Sequence, residues 1–533
     1  MKPSRPEATH VAVQNGRIVD VGTLEEFTNF GKFELDTRLS DKVLMPGLVE
    51  GHSHVMQGAF WQQVYCGSFD RIDPDGVVWT GLHSNAHLLD RLRKVESSLN
   101  DPYAPLAGWG YDPLLFDADY LDRHDLDQIS SVRPIGILHA SCHILNVNTR
   151  VLELSGLLRT GLNHPGIPLD KYGLPTGELR GHEVMAAANR HVGFLREELA
   201  RDEQGLRQFA RQCIRSGVTT ATDLAAILSD DAVEMMLRVT GEKDFPVRIV
   251  PAYKLLNITV PDLISRANEL LEQSTDRLRL GAIKVVADGS IQGFTARLRT
   301  PRYFNGSPNG LWYLPPEQLK EVYRLALRQG VQVHTHTNGD QATELTLDCI
   351  DDAMRLHSVH DHRFTLQHCQ LADAAQFRKM REFGVCVNLF SNHIYYWGDM
   401  HYKYTVGPER AERMNACATA LACGVPTAIH SDAPITPLGP LFTAWCAINR
   451  QTSSGRVLGR NECISIDAAL YAITLGAAYT LKLDGEIGSI ECGKRADFAV
   501  LEDDPIQIGG ERLKDVRIWG TVQDGRVFEA ATA

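Results

Sequence analysis

The chain has 533 residues, enough for two or three domains of ordinary size or for one large barrel with additions. Hydrophobic residues make up 44% and charged residues 23%, which suits a globular protein with a large buried core. The net charge of −12, from 54 Lys and Arg against 66 Asp and Glu, argues against nucleic acid or an anionic membrane as the main partner.

The opening stretch MKPSRPEATHVAVQNG has no apolar core of the kind a signal peptide needs, and no run approaches about 18 uncharged apolar residues. A cytoplasmic protein is therefore expected. Eleven cysteines, an odd number with no C-x2-C pair, fit free thiols in a reducing compartment better than disulfides or a zinc knuckle. The first element is VAVQNGRIVDVG, two alternating apolar runs joined at Asn15-Gly16. Asn-Gly tolerates the positive φ angles of a type I′ turn, so a β-hairpin is predicted. The C-terminus repeats the device in ADFAVLEDD and VRIWGTVQDGRVFEA, with Asp524-Gly525 at its turn.

Between these ends, short apolar strands alternate with helical stretches such as PEQLKEVYRLALRQG. The candidate strands are KVLMPGLVE, GVTTATD, FPVRIVPAY, LGAIKVVAD, GVQVHTH, RFTLQHC, GVCVNLF and GVPTAIH. Eight β-α units in succession predict an α/β fold, a (β/α)8 TIM-type barrel rather than an open doubly wound sheet. About 165 residues separate the first two strands, more than a crossover needs, so roughly 57–210 is expected to be an insertion covering the barrel mouth. The expected plan is a small β-sandwich domain formed by both termini (1–44 and 484–533) around a barrel over 45–483.

Active sites of such barrels lie at the C-terminal ends of the strands. The first strand ends PGLVEGHSH, and strand periodicity points His52 and His54 to one face, where the pair can chelate a metal. Lys284 stands inside the apolar LGAIKVVADGS, where an unpaired ammonium is costly to bury. It could stay neutral, or pair with a carboxylate such as Asp288. QVHTHTNGD carries His334 and His336 on one face, LQHCQ carries His368, and AIHSDAP carries His430 and Asp432. Imidazoles and carboxylates converging from five strand ends fit a metal site with nitrogen and oxygen ligands. The alternative is a set of unrelated buried polar residues, each with its own partner. Trp61 in the insertion and Tyr395-Tyr396-Trp397 at a strand end either pack lid against barrel or line an apolar pocket for an acyl or amine group. Two other patterns fail. His182-Glu183 opens like a zincin helix but has Ala186 where the second histidine belongs, and Gly51–Val55 misses the last glycine of a nucleophile elbow.

PGLVEGHSH, the IKxxxDGS segment, HTHTNGD, LQHCQ, HSDAP and the closing GSIECGKRADFAVL together resemble the amidohydrolase superfamily. More narrowly, the chain resembles the YtcJ-like branch, which includes N-substituted formamide deformylases. The resemblance implies metal ligands at His52, His54, Lys284, His336, His368 and Asp432. The TNGD that follows selects His336 over His334. Lys284 is implied as N6-carboxylysine bridging two divalent ions, zinc first, with manganese or iron as alternatives. Asp432 is implied as the catalytic base. Two positions depart from the pattern: Gln367 replaces a glutamate, and Asn338 an isoleucine. The expected activity is hydrolysis of a carbon–nitrogen bond other than a peptide bond, in a linear or N-substituted small-molecule amide. A deaminase, a cyclic-amide hydrolase and a non-catalytic binding relative are the alternatives. No nucleic acid or membrane is expected as a partner, and a homo-oligomer is compatible with the sequence.

Overall fold

In the computed structural model, which describes residues 8–116 and 120–531, Asn15 and Gly16 take φ of 52° and 75° and turn His10–Gln14 onto Arg17–Gly22. Asp524 and Gly525 do the same for Ile518–Gln523 and Arg526–Glu529. Both predicted hairpins are present. The C-terminal one extends through Phe498–Leu501 to the N-terminal strand Val43–Pro46, making a four-stranded antiparallel sheet from both ends of the chain. Ile18, Val21, Phe498, Val500 and Val522 form the apolar core shared by the hairpin and this sheet.

The barrel strands are β1 (Leu48–Glu50), β2 (Val218–Ala226), β3 (Arg248–Lys254), β4 (Ala282–Val286), β5 (Val333–Thr337), β6 (Thr365–His368), β7 (Cys386–Leu389) and β8 (Thr427–Ile429). All neighbours are parallel and follow chain order, and a parallel bridge from Ser53 to Ala433 joins β8 to β1. The fold is the expected (β/α)8 barrel with a terminal sheet domain. The helix Pro316–Gln329 shows why the crossovers pack: Leu319, Val322, Tyr323, Ala326 and Leu327 form one buried stripe, and Gly330 at φ 72° ends it.

One predicted strand is in fact two. Within KVLMPGLVE, Val43–Pro46 belongs to the terminal sheet and Leu48–Glu50 to the barrel. Gly47 is the crossing point. A Cβ there would stand 2.0 Å from Thr219 Oγ1, so only glycine fits.

By contacts the chain forms two units, residues 1–54 with 210–533, and 55–209. The second has its own mixed five-stranded sheet, including Leu106–Tyr111 and Ile135–His139, over a core of Leu88, Leu92, Phe116, Leu126 and Ile137. Among the described residues no helix is long and apolar enough to cross a membrane. All eleven cysteines are free thiols.

Candidate metal centre

The segment after β1 is extended and laced between two strands. Ser53 N and Oγ both donate to Thr222, His54 N donates to Ala433 O, and Asp432 N donates to His52 O. Ser53 is thereby turned toward β2, leaving His52 and His54 to share the opposite side. Their Nε2 atoms each lie 3.3 Å from Asp432 Oδ1. Two donors on one tetrahedral zinc, with bonds of about 2.0–2.1 Å, stand roughly 3.3 Å apart. Asp432 Oδ1 accepts no hydrogen bond from the described residues. The donor set fits a divalent ion.

β5 and β6 bring a second pair. His336 Nδ1 and His368 Nε2 are 3.0 Å apart, and His368 Nδ1 faces Asp432 Oδ2 at 3.7 Å. His336 Nε2 lies 3.2 Å from Gly289 O and 3.1 Å from the Asn338 amide nitrogen. Asn338, one of the two departures from the family pattern, therefore touches a predicted ligand. His368 at φ 73° and Asp432 at φ 54° are both left-handed, a conformation that costs about 1–3 kcal/mol and persists only where surrounding structure imposes it.

Gln367 orders the imidazoles. Its Oε1 accepts from His52 Nδ1 at 2.8 Å and from the Asn388 amide at 3.0 Å, while its Nε2 donates to His334 Nδ1 at 3.0 Å. An amide oxygen only accepts, so His52 carries its proton on Nδ1 and offers the Nε2 lone pair. His334 accepts from Gln367 on Nδ1, whereas His336 reaches His368, whose other ring nitrogen faces Asp432.

Burial dominates the electrostatics. It drives His52, His368 and His430 well below the ordinary histidine range, so all three are neutral imidazoles, the ligating form. It lowers Lys284 and raises Asp432, each toward its uncharged state. Lys284 is almost fully buried, and its Nζ has no hydrogen-bond partner among the described residues. Pairing with Asp288 does not occur: that carboxylate accepts the backbone amides of Arg297, Asn338 and Gly339.

Three further residues were not singled out in the sequence. Glu50, pushed up to about 8 by burial, accepts from Ser431 N and Oγ and from His52 N, and so joins the ends of β1 and β8. Asn388 fixes Gln367. His393 stacks on Trp397 at 4.5 Å, and its Nδ1 lies 2.9 Å from His401 Nε2. A polar residue inside an apolar strand, as in CVNLF, was the available signal for Asn388. Tyr395, Tyr396 and Trp397 lie on the helix Asn392–Met400 beyond β7, rather than at the strand end itself. Tyr395 and Tyr396 lean on Phe442, and Trp397 is buried. Trp61 belongs to the other unit, its ring 5.0 Å from that of Trp109. The His182 side chain lies outside the described residues.

The sequence pattern of the amidohydrolase family matches residues 39–528. The chain belongs to this family. It is 27% identical to YtcJ of Bacillus subtilis (strain 168) across 98% of this chain and 96% of that protein. It is 24% identical to the N-substituted formamide deformylase of Arthrobacter pascens across 97% and 94%. An uncharacterized metal-dependent hydrolase from Pyrococcus horikoshii OT3 has the same fold, with a TM-score of 0.71, 20% identity and 94% of each chain covered. The family member described here thus has a hydrolase barrel with a metal-competent cluster at its strand ends.

Proposed function

We propose that this amidohydrolase cleaves the carbon–nitrogen bond of a linear or N-substituted small-molecule amide. The observation that carries the reading is the His52–His54–Asp432 cluster, in which Asp432 Oδ1 lies 3.3 Å from both imidazoles and has no hydrogen bond among the described residues. The full-length likeness to an N-substituted formamide deformylase supports the choice of bond. His52, His54, His336, His368 and Asp432 would hold divalent metal, zinc suiting the imidazole-rich set, with Lys284 as a carboxylated bridge between two ions. Metal bound there would acidify water and polarise the amide carbonyl.

The chain's own residues then divide the work. Gln367 holds His52 in one tautomer, and the β1–β8 lacing holds the His52–Ser53–His54 segment against Asp432. Asp432 takes the proton of the attacking water on its carboxylate and returns it to the departing nitrogen, so that amide and water become carboxylic acid and amine. Tyr395, Tyr396 and Trp397 are the side chains proposed to select the amide's substituent.

The test is metal analysis of the purified protein, followed by a screen of N-formyl, N-acyl and cyclic amides and of aminated rings. Amine release from a linear amide, lost on chelation and regained with zinc, is the expected result. Free ammonia from a ring amine alone would replace this reading with a deaminase. Full activity at near-zero metal content would overturn it.

A further inference from the structure

His430 is a buried imidazole that the catalytic reading leaves without a task. It is fully buried, and neither Nδ1 nor Nε2 has a hydrogen-bond partner among the described residues. A neutral imidazole must carry one N–H and one lone pair, and leaving either unmet in a core costs its desolvation with nothing in return. A histidine kept only for packing could be replaced by an apolar ring at no such cost. Its ring stacks on His52 at 4.7 Å, lies 5.0 Å from the ring of His368 and is backed by Phe390 at 4.7 Å. One ligating nitrogen each from His52, His368 and His430 falls within 4.8 Å of the others, as do atoms of His52, His54 and Asp432.

The two groups share His52. With its Nδ1 proton given to Gln367, His52 has one lone pair and serves one ion at a time. The same limit applies to His368, whose Nε2 faces His336. An ion held by His52, His368 and His430 would therefore take one imidazole from each of the two positions described above. The groups are alternative seats, not additional ones.

We propose that His430 is a metal ligand, completing with His52 and His368 an all-imidazole seat that a single ion occupies in place of the His52–His54–Asp432 position. The inference rests on the reading of this cluster as a metal centre. Three neutral imidazoles and no carboxylate suit zinc, cobalt or nickel. With two ions bound, His52 and His368 serve separate ions and the seat is empty. It is the station of the chain that carries one ion.

The experiment loads the full-length apoprotein with one equivalent of zinc and counts imidazole ligands by X-ray absorption. It also measures zinc affinity by chelator competition for wild type, His430→Phe and His430→Gln, with melting curves to show that each variant folds. The expected result is three imidazoles in wild type, fewer in both variants, and affinity for the first equivalent lower by about 10-fold or more. A wild-type count of two, or unchanged affinity in a folded variant, would overturn the role of His430 while leaving the metal centre intact. A wild-type chain that binds no zinc would overturn the metal centre and this inference together. Amide hydrolysis is not a readout, so failure of the proposed substrate class does not bear on the outcome.

Discussion

Asp432 sits where backbone conformation and chemistry meet. Its φ of 54° is one that Asn adopts as readily as Asp, so Asp432→Asn keeps the turn while removing the charge. Turnover should fall about 10²–10⁴-fold, the range for a positioned acid–base group, with the melting temperature of the apoprotein little changed. Steady-state rates beside apoprotein melts check this, and near wild-type turnover would move the proton transfer elsewhere. Lys284 poses the opposite problem. Its buried Nζ has no hydrogen-bond partner among the described residues: Asp288 is occupied by three backbone amides, and Asp432 acts on it only through space. A cation beside ions and imidazoles is repelled as well as desolvated, whereas a carbamate would turn it into an anionic oxygen donor. Lys284→Ala should lose at least one metal and most activity, and a short carboxylic acid in the medium should restore part of both. One ion per wild-type chain with an unmodified amine would refute the bridge.

At the scale of elements, the decisive position is Gly47. The chain leaves the terminal sheet at Pro46 and enters the barrel at Leu48, passing so close to β2 that a Cβ would meet Thr219 Oγ1, Cβ and Cγ2 at 2.0, 2.8 and 2.8 Å. Gly47→Ala should therefore destabilise the protein by about 1–3 kcal/mol or more, as overpacking a filled core does. Thr219→Ala should give little relief, because the Cβ contact at 2.8 Å remains. Denaturant unfolding of the two single variants and the double variant measures this. The strain would also reach His52 and His54, which follow β1 within a few residues, so metal affinity should fall with stability. The same lacing explains why Glu50 is buried: it ties β1 to Ser431 just before the Asp432 turn.

The largest structure in the chain is the union of terminal sheet and barrel, and a buried ion pair lies across it. Arg248 of β3 and Asp497, just before the sheet strand Phe498–Leu501, are 2.8 Å apart, with side chains 1% and 2% exposed. Arg248 also donates to Asp276 O and Thr220 Oγ1, and Asp497 accepts from Asp524 N. Removing one partner strands the other charge in the core. Asp497→Ala should cost about 3–5 kcal/mol, and replacing Arg248 and Asp497 together by Met and Leu should cost less than that single change. Chemical denaturation at fixed zinc concentration would show it. An equal or larger loss in the double variant would mean that shape, rather than charge, fixes the junction.

Much of this was legible in the residues alone. Strand periodicity and strand count determined the barrel, because eight apolar runs alternating with helical stripes have few other solutions. The two Asn-Gly and Asp-Gly turns were equally readable, since their positive φ angles demand those residues. The spacing of His52 and His54 pointed to one face, and both reach Asp432 Oδ1. What sequence could not decide was which sheet a strand joins and which neighbour a polar side chain meets. KVLMPGLVE has one periodicity but serves two sheets, because pairing is chosen by partners hundreds of residues away. Gln367, read only as a departure from a family pattern, is the residue that sets the His52 tautomer, and His430, read as a companion of Asp432, is stacked against His52 with both nitrogens unmet among the described residues. Those roles depend on distances between strand ends. A linear pattern carries the period of each strand, whereas the distances arise only when the barrel closes and brings β1, β6 and β8 to one mouth.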